Sequence, residues 1–456
     1  MARAKKEAAL TPEERLQAAL VPDWEWPYKL PENWCWTYVS TAYDVTSSKR
    51  VHKEDWLSEG IPFYRTRELV KLSSNGFVDN ELYISEEQYE TFKREYGVPA
   101  VGDLLISGVG TIGVPYVIES HEKFYFKDGN VIWFKNRGLF IPRFIFYLYK
   151  SMFMDKQIHD MASGTTVDTY TIINANMTKV PLAPLSEQQR IVDRIESLFA
   201  KLDEAKDKAQ AVVDSFETRK AAVLHKAFTG ELTANWREAH GANISQWKNC
   251  TIGDVFAHTT GKALKKSNQN GVLRKYITTS NLYWGTFDFS EVREMYFTED
   301  ELGKCTAKKG DLLLCNGGDV GRAAIWDYDY EICLQNHISK LRKKAENVDV
   351  PFFYYYFMLS KIDGNIAGRG IGIASLSARD LLSMNVYLPP VAEQQQISRI
   401  LDAIFAKEQQ AKDAAEAVLE KIDLMKKAIL ARAFRGELGT NDPNDESAVE
   451  LLKKIL

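Results

Sequence analysis

Two pairs of polar segments carry the residue types that bind phosphates and base edges. VTSSKRVHKEDW begins at Val45 and HTTGKALKKSNQNG begins at His258; YRTREL follows the first from Tyr64, and YITTSNL follows the second from Tyr276. Lysine and arginine neutralise phosphates, whereas arginine, asparagine and threonine hydrogen-bond to base edges. A solvated loop would explain either segment alone. The same composition at the same place in two halves of one chain makes nucleic-acid contact an equal alternative to a solvated loop.

Two further loops, SGTTVDT from Ser163 and GRGIGIAS from Gly368, add hydroxyls, glycines and an arginine. We take the candidate nucleic-acid contacts from these six segments by side-chain chemistry alone. In the first half they are Lys49, Arg50, Arg65, Arg67 and Thr165; in the second half they are Lys262, Lys265, Lys266, Thr279, Asn281 and Arg369.

Motifs that carry catalysis are missing from the sequence. GVGTIG, from Gly108 to Gly113, has the spacing of a dinucleotide-binding turn, but PYVIES after it predicts a strand where that turn needs a helix. We interpret it as a tight strand-to-strand turn whose glycines permit close approach of a partner such as a phosphate. There is no G-x-x-x-x-G-K-[ST] loop, H-E-x-x-H or N-P-P-[YF] stretch. Five scattered cysteines without a C-x-x-C pair argue against a zinc site or disulfides.

The composition is that of an ordinary globular protein. Hydrophobic residues make up 45% and charged residues 26% of 456 residues, enough for two or three domains. The formal net charge of −4 gives no overall basic signature. The longest apolar run, from Val350, has about ten residues, fewer than the roughly 18 of a membrane helix, and the N-terminus lacks an apolar leader. We expect a cytoplasmic protein without a membrane partner.

Two copies of one long helix must position these loops. SEQQRIVDRIESLFAKLDEAKDKAQAVVDSFETRKAAVLHKAFTGEL begins at Ser186, and AEQQQISRILDAIFAKEQQAKDAAEAVLEKIDLMKKAILARAFRGEL begins at Ala392, 206 positions later. About 21 of about 46 residues from Glu187 onward are identical without a gap, which indicates an internal duplication. Gly230 and Gly436 are predicted to end the two helices at matching positions.

An apolar seam with steps of four and three runs along both copies and is typical of a coiled coil. In the first copy it is Ile191, Ile195, Leu198, Leu202, Ala205, Ala209, Val212 and Phe216; in the second it is Ile397, Leu401, Ile404, Glu408, Ala411, Ala415, Val418, Ile422, Met425 and Ile429. A single copy would favour dimerisation. Two copies favour an intramolecular antiparallel pair, because each can cover the seam of the other. Ser186 is the predicted N-cap of the first helix.

The helices divide the chain into predicted segments. These are a helical extension at 1–30 with Thr11 as N-cap, a first globular domain at 31–184, a spacer helix at 185–230, a linker at 231–245, a second globular domain at 246–390, a second spacer helix at 391–436 and a C-terminal tail at 437–456. The globular domains have diverged more than the helices. We therefore infer that the two constant helices bind a partner in the same way at two places, whereas the two variable globular domains bind different partners.

Landmarks recur in the same order in both globular domains. GDLLISGVGTIG from Gly102 corresponds to GDLLLCNGGDVG from Gly310, and an aromatic helix with an early proline follows each. Short β segments surround these landmarks. The predicted fold class is α+β: two globular mixed α/β domains separated by two long helices that form an antiparallel intramolecular coiled coil, with a pseudo-two-fold internal repeat.

These motifs resemble those of the specificity subunits of type I restriction-modification enzymes. The resemblance is carried by PLSEQQRI and PVAEQQQI, by the shared F-A-K, by AFTGEL and AFRGEL, and by the divergent domain with G-D-L-L before each helix. It covers nearly the whole chain. The helix motif is specific, whereas the globular domains match only in layout, and no base-contacting residue carries over by motif.

The resemblance implies a non-catalytic subunit that recognises DNA. Each globular domain would be a target recognition domain for one half of a bipartite, asymmetric site in double-stranded DNA, and the helices would set the gap. Two methyltransferase subunits and restriction subunits are the implied partners; S-adenosylmethionine, ATP and Mg are expected on those partners, and no cofactor on this chain.

We place the partner-subunit interface at the helix ends, with Phe228, Gly230, Phe434 and Gly436. Two alternatives remain open. One is a duplicated coiled-coil adaptor with protein-binding domains, which predicts no salt-dependent affinity for DNA. The other is a nucleotide-dependent enzyme, which the missing phosphate loop disfavours.

Overall fold

The computed structural model describes residues 11–127, 129–162, 168–264, 269–366 and 375–456. The chain divides into two compact units, Met1–Lys208 with Val418–Leu456, and Ala209–Ala417. Each unit contains one globular domain and a stretch of both long helices. Within the described ranges, no helix has the length and apolar character needed to cross a membrane.

The first globular domain and the segment before it are built from short helices and strands. In chain order they are α1 (Pro12–Ala19), β1 (Cys35–Tyr38), α2 (Val39–Ala42), β2 (Tyr43–Thr46), β3 (Ile61–Tyr64), α3 (Thr66–Asn75), β4 (Tyr83–Ile84), α4 (Glu86–Glu95), β5 (Leu104–Ser107), β6 (Pro115–Val117), β7 (Tyr125–Phe126), β8 (Val131–Asn136), α5 (Pro142–Tyr149), α6 (Met152–Met161), α7 (Ile172–Met177) and β9 (Lys179–Leu182). Thr11 caps α1 as predicted, since its hydroxyl accepts from the Glu14 amide.

The second half repeats this order between the long helices. The elements are α8 (Leu185–Phe228), α9 (Ala234–Ala239), β10 (Lys248–Thr251), α10 (Ile252–Val255), β11 (Phe256–Thr260), β12 (Val272–Ile277), β13 (Leu282–Tyr283), β14 (Thr286–Phe287), β15 (Arg293–Phe297), α11 (Glu299–Cys305), β16 (Thr306–Ala307), β17 (Leu312–Cys315), β18 (Ala323–Ile325), β19 (Ile332–Leu334), β20 (Ile338–Lys343), α12 (Val350–Ile362), α13 (Ala378–Leu382), β21 (Asn385–Leu388), α14 (Val391–Ala433) and α15 (Ala448–Lys453).

Both domains share the order of their larger sheet and the core of a second one. A four-stranded antiparallel sheet has the order β2-β8-β5-β6 in the first domain and β11-β20-β17-β18 in the second. A mixed sheet has three strands in the first domain, in the order β4-β3-β7, and four in the second, in the order β15-β12-β19-β16. The mixed α/β architecture, the two long helices and the internal repeat are therefore confirmed.

The repeated G-D-L-L landmark is structural in both domains. The carboxylate of Asp103 accepts from the Ala100 amide at 2.9 Å and from Trp133 Nε1 at 2.8 Å. In the second domain, the carboxylate of Asp311 accepts from the Lys308 amide at 2.8 Å and from both ends of the Arg342 guanidinium at 2.7 and 2.6 Å. Each buried aspartate thus closes the turn before a central strand and links it to a neighbouring strand.

The glutamines of the repeated E-Q-Q motif fasten each long helix to the globular domain before it. Gln188 donates to the carbonyls of Leu139 and Ala183, both at 2.9 Å, and accepts from the Ile141 amide at 2.8 Å. Gln394 makes the equivalent bonds in the second unit. The predicted cap was wrong in position: α8 already begins at Leu185, so Ser186 lies inside its first turn.

The two long helices run antiparallel in each unit. In the first unit, Lys426 Nζ lies 2.5 Å from Asp203 Oδ1. In the second unit, Arg219 Nη2 lies 2.8 Å from Glu408 Oε2, so the polar residue in the predicted seam has a cationic partner. Since higher numbers on α14 meet lower numbers on α8, the antiparallel intramolecular pairing is confirmed.

The predicted seam is wrong in part of α14. Val418 and Met425 are 41% and 52% exposed, Ala411 is also exposed, and Ile422 is only 2% exposed. Lys426 takes the place expected for Met425, with its Nζ 5.1 Å from the centre of the Phe199 ring. A helix of 3.6 residues per turn drifts from a heptad repeat, and a lysine stem can cover apolar surface while its charge remains solvated.

Candidate nucleic-acid interface

Polar loops of the first domain converge at one end of its larger sheet. The amide of Gly108 donates to the carbonyl of Asn130 at 2.8 Å, and the same carbonyl accepts from Thr66 Oγ1 at 3.2 Å. Ser47 Oγ donates to the carbonyl of Val131 at 3.2 Å, and Val109 pairs with Thr169. We call residues 47–50, 108–111, 129–131 and 168–170 the first edge.

The second domain builds the same frame from equivalent loops. The amide of Asn316 donates to the carbonyl of His337 at 3.0 Å, and the carbonyl of Asn316 accepts from the Leu376 amide at 2.8 Å. Gly317 pairs with Ser375, as Val109 does with Thr169. We call residues 260–262, 316–318, 335–338 and 375–376 the second edge.

Glycines at both edges allow loops of the chain to approach one another. A Cβ on Gly108 would lie 2.9 Å from the Tyr170 carbonyl oxygen, and one on Gly317 would lie 2.7 Å from His337 Nδ1. Gly113 has φ +78°, and its Cβ would lie 2.9 Å from Ile158 Cδ1. The predicted strand-to-strand turn is confirmed, because β5 and β6 pair antiparallel. Gly108 and Gly113 thus approach the protein's own atoms, whereas a Cβ on Gly110 would meet nothing within 4 Å. Approach of a phosphate to this turn stays a prediction.

Lys49 and Arg50 are exposed on the first edge. The Lys49 amide donates to the Tyr125 hydroxyl at 2.9 Å, and Lys49 Nζ lies 5.1 Å from the centre of the Tyr96 ring. The backbone of this loop is thus fixed while the lysine ammonium remains at the surface. Both residues stay predicted DNA contacts.

Arg65 and Arg67 lie in an ion-pair cluster at the start of α3. Both guanidinium groups contact the buried Glu68 carboxylate, at 2.8 and 2.9 Å, and Arg67 also contacts Glu81 at 2.7 Å. Burial alone would raise the pKa of Glu68, but hydrogen bonds from the two arginines lower it to about 2. The two arginines and two glutamates of this cluster have no net charge together. Contact of either arginine with DNA stays a prediction.

Lys262 is not a surface contact. It is 9% exposed, and its Nζ donates to Glu301 Oε2 at 2.6 Å and to the Tyr296 carbonyl at 2.7 Å. This hydrogen bond lowers the pKa of Glu301. Because the ammonium is held by an internal carboxylate, we assign Lys262 a structural role.

Asn281 also serves the fold, whereas contact of the Thr279 side chain with DNA stays a prediction, because the bond from Arg322 engages only the backbone of Thr279. Asn281 is 4% exposed, and its amide donates to the carbonyls of Asp288 and Glu291 at 2.9 and 2.8 Å. The partly buried Thr279 accepts from Arg322 Nη2 through its carbonyl oxygen at 2.6 Å. Buried polar groups need such partners, so Asn281 is withdrawn as a base contact. Thr165, Lys265, Lys266 and Arg369 lie outside the described residues.

The predicted interface residues lie against their own domains. Phe434 is 1% exposed, with its ring centroid 5.2 Å from that of Phe144. Phe228 packs against Phe352 at 5.0 Å. Gly230 and Gly436 have φ of +83° and +72°, and a Cβ on either would collide with Ile244 or Pro31, respectively. The repeated A-F-x-G motif therefore closes each unit internally, and the buried Phe434 cannot itself bind a partner.

The sequence interpretation missed polar residues of the segments just before β8 and β20. Lys127 and Asn130 lie in the first, and Gln335, Asn336 and His337 in the second. Superposing the two copies on their G-D-L-L landmarks would have found them, because both segments precede equivalent strands. Among the described residues, no group of three or more histidine, cysteine or acidic side chains is arranged to hold a metal ion.

Comparisons with known proteins agree with this arrangement. Residues 43–212 and 244–420 match the family described as type I restriction modification DNA specificity domain. The chain is 25% identical over 333 residues to the EcoKI specificity subunit of Escherichia coli K12, covering 70% of this chain and 72% of that subunit. It is 32% identical over 165 residues to a putative specificity subunit of Haemophilus influenzae, covering 35% and 40%.

Solved structures share the fold. The HsdS subunit of Thermoanaerobacter tengcongensis aligns with a TM-score of 0.65 at 20% identity, covering 91% of this chain and all of that one. A chain from a structure of type I R-M complex assembly aligns with a TM-score of 0.63 at 20% identity, covering 90% and 100%. With two family matches that together span most of its length, the chain belongs to the type I restriction modification DNA specificity family.

Proposed function

We propose that the chain is the DNA sequence-recognition subunit of a type I restriction-modification complex. Each globular domain would read one half of a bipartite, asymmetric target in double-stranded DNA. The observation that carries the proposal is the frame built twice: glycine turn, polar strand end and hydroxyl-rich loop are tied together in the same way at the first and second edges.

The exposed and partly buried side chains of the two edges support different half-site sequences. The first edge presents Lys49 and Arg50 beside Asn130, whereas the second presents Gln335, Asn336 and His337. Cations position a protein on phosphates, and amides and imidazoles hydrogen-bond to base edges. A common frame with unlike side chains fits a protein that meets two different sequences.

Modification and restriction would take place on partner subunits. The chain has no motif for clamping a flipped base or binding nucleotide phosphates, so methyl transfer from S-adenosylmethionine is assigned to two methyltransferase subunits. ATP and Mg are assigned in the same way to restriction subunits. This chain would only select the DNA site at which the partner subunits act.

We place the partner contacts beside the helix ends, in clefts bordered by the phenylalanines named above. In the first unit a cleft of about 850 Å³ is lined by Met152, Met177, Leu430, Ala431 and Arg435, among others. In the second unit a cleft of about 490 Å³ lies beside Phe228, with Ile244 and Tyr387 in its lining. The clefts lie at equivalent helix ends, which supports one partner subunit at each.

Sequencing of modified bases in a host that carries the chain and its partner genes tests the function. We expect methylation at a two-part motif, and replacement of the second globular domain by one from another specificity subunit should change one half of the motif only. Methylation that does not depend on this chain would overturn the proposal. Radiolabelled methyl transfer by the purified chain alone would contradict its non-catalytic role.

A further inference from the structure

The second domain has a strand extension that the first lacks. β12 and β15 pair at five positions, from Val272 with Phe297 to Tyr276 with Arg293. The equivalent β3 and β4 pair at only two positions. β12 pairs with β19 only at Tyr276 and Ile277, and β15 is the edge strand of the sheet. Residues 272–275 and 294–297 therefore form a two-stranded ribbon with no further strand beside it among the described residues.

The β12 strand of this ribbon is exposed and carries cations, whereas Met295 and Phe297 on the β15 strand are buried. Residues 272–275 are all exposed, and Val272 and Leu273 reach 51% and 46%. Arg274, Lys275 and Arg293, at the base of the ribbon, are exposed as well. Within the described parts of the chain, none of these three has a carboxylate within the 4.0 Å of an ion pair.

Nearby carboxylates offset part of this charge: Glu331 lines the same cleft as Arg274 and Lys275, although it is itself paired with Lys308 at 3.0 Å. Glu294 lies opposite Lys275 in the strand register, beyond ion-pair distance. Three cations and one carboxylate leave a net charge of plus two on the paired segment. Glu299 and Asp300 lie beyond the ribbon, in the first turn of α11. Exposed cations without partners are costly to cluster unless an anionic partner uses them, because like charges repel.

We propose that the β12–β15 ribbon is a further DNA-contacting element of the second domain, with Arg274, Lys275 and Arg293 bound to phosphates. The proposal rests on the proposed function. A two-stranded ribbon fits the major groove of B-DNA. Successive strand residues point to opposite faces, and Tyr276, Met295 and Phe297 bury one face of the ribbon. Lys275 and Leu273 project from the open face, where Leu273 supplies apolar contact to bases, and Arg274 reaches a phosphate from the margin of the buried face.

The first test measures binding of the full-length chain to a labelled random-sequence duplex of about 40 base pairs, over about 50 to 200 mM salt. Phosphate binding needs no target sequence. For the double variant Arg274→Ala/Lys275→Ala, we expect the slope of log affinity against log salt to fall by about 0.9 for each phosphate left unbound, and affinity near 0.1 M to fall about tenfold for each. Lys248→Ala, an exposed strand lysine of the same domain, is the matched control and should leave the slope unchanged.

The outcomes separate this proposal from the proposed function. If the unmodified chain binds DNA with a steep salt dependence and the double variant keeps the same slope, the ribbon proposal is overturned and the function stands. If the unmodified chain shows no salt-dependent affinity for DNA, the proposed function is contradicted, and the ribbon proposal that rests on it is contradicted with it. The charge-conserving variant Arg274→Lys should keep the slope of the unmodified chain, which distinguishes removal of charge from damage to the fold.

A second measurement does not depend on removing charge. A photo-crosslinking amino acid at the exposed Leu273 of the full-length chain, in complex with its partner subunits and DNA, should form a crosslink to DNA. The same group at Tyr387, which is 63% exposed on β21, is the control. Crosslinks from Leu273 to a protein subunit alone would show that the ribbon is a protein interface and would overturn the proposal.

Discussion

Glu187 and Glu393 hold the same position in the two copies of the long helix, and each carboxylate is buried by the segment that follows the other helix. Glu187 accepts from Thr440 Oγ1 at 2.7 Å and from Arg190 Nη2 at 2.8 Å. Glu393 accepts from Thr233 Oγ1 at 2.7 Å and from Arg237 Nη1 at 2.5 Å. The C-terminal tail thus does in the first unit what residues 231–247 do in the second.

Removal of the Glu393 carboxylate should destabilise the second unit. Glu393→Ala leaves Arg237 buried without its partner, and breaking a buried pair costs about 3–5 kcal/mol. Trp247 Nε1 also donates to Glu393 at 2.9 Å, so urea unfolding followed by tryptophan fluorescence is a suitable measurement. Glu420→Ala, exposed on the same helix, is the control. Equal unfolding midpoints for the two variants would show that the pair contributes no net stability.

The shifted seam of α14 predicts that substitution of two nearby apolar residues changes the free energy of unfolding by very different amounts. Ile422→Ala removes a buried side chain and should cost about 2–5 kcal/mol. Met425→Ala changes an exposed side chain and should stay within about 0.5 kcal/mol. Thermal unfolding of the two single variants measures the difference. A loss of similar size for Met425→Ala would restore the heptad register predicted from sequence, which includes both residues.

The Glu68 cluster should lose its contribution to stability in acid. The pKa of this carboxyl is lowered from 4.5 to about 2 in the folded protein. A lowered pKa stabilises the fold above the unfolded-state value, and the contribution disappears as pH falls from about 4.5 toward about 2. Melting temperatures of the unmodified chain and Glu68→Gln should therefore differ at pH 7, differ less at pH 3 and converge near pH 2. A difference at pH 2 as large as that at pH 7 would mean that the charge of Glu68 is not what stabilises α3.

The antiparallel helices are predicted to set the length of the unspecified gap between the two half-sites of the DNA target. Matched heptads inserted near Ala205 and Ala411 add about 10 Å to each helix and preserve the seam. At about 3.4 Å per base pair, the gap should lengthen by up to about three base pairs with both half-sites unchanged. One heptad in one helix alone should strain the pair. The gap length is measured by mapping methylated sites for the doubly inserted variant. An active variant with an unchanged gap would show that helix length does not set the gap.

The sequence predicted some of the segments that form the candidate edges, but not which of their side chains are available to bind DNA. Loop composition located the segments at Val45 and His258 correctly as parts of each edge, because repeated polar loops mark a shared use. It could not show which cations were already paired. Lys262 and Asn281 have the side chains of DNA contacts, yet each is buried by partners distant in sequence, Glu301 for Lys262 and Glu291 for Asn281.

The sequence by itself determined the duplication, the two long helices, their antiparallel pairing and the family, because these rest on local periodicity and on motifs repeated at a fixed distance. The tertiary structure decided the roles of individual side chains. The glutamines of the E-Q-Q motif and Phe434 proved to close each unit internally, and the seam moved from Met425 to Lys426. Such roles depend on which distant groups meet a side chain and on the helical drift accumulated over many turns, and neither is encoded in the residue's own type or spacing.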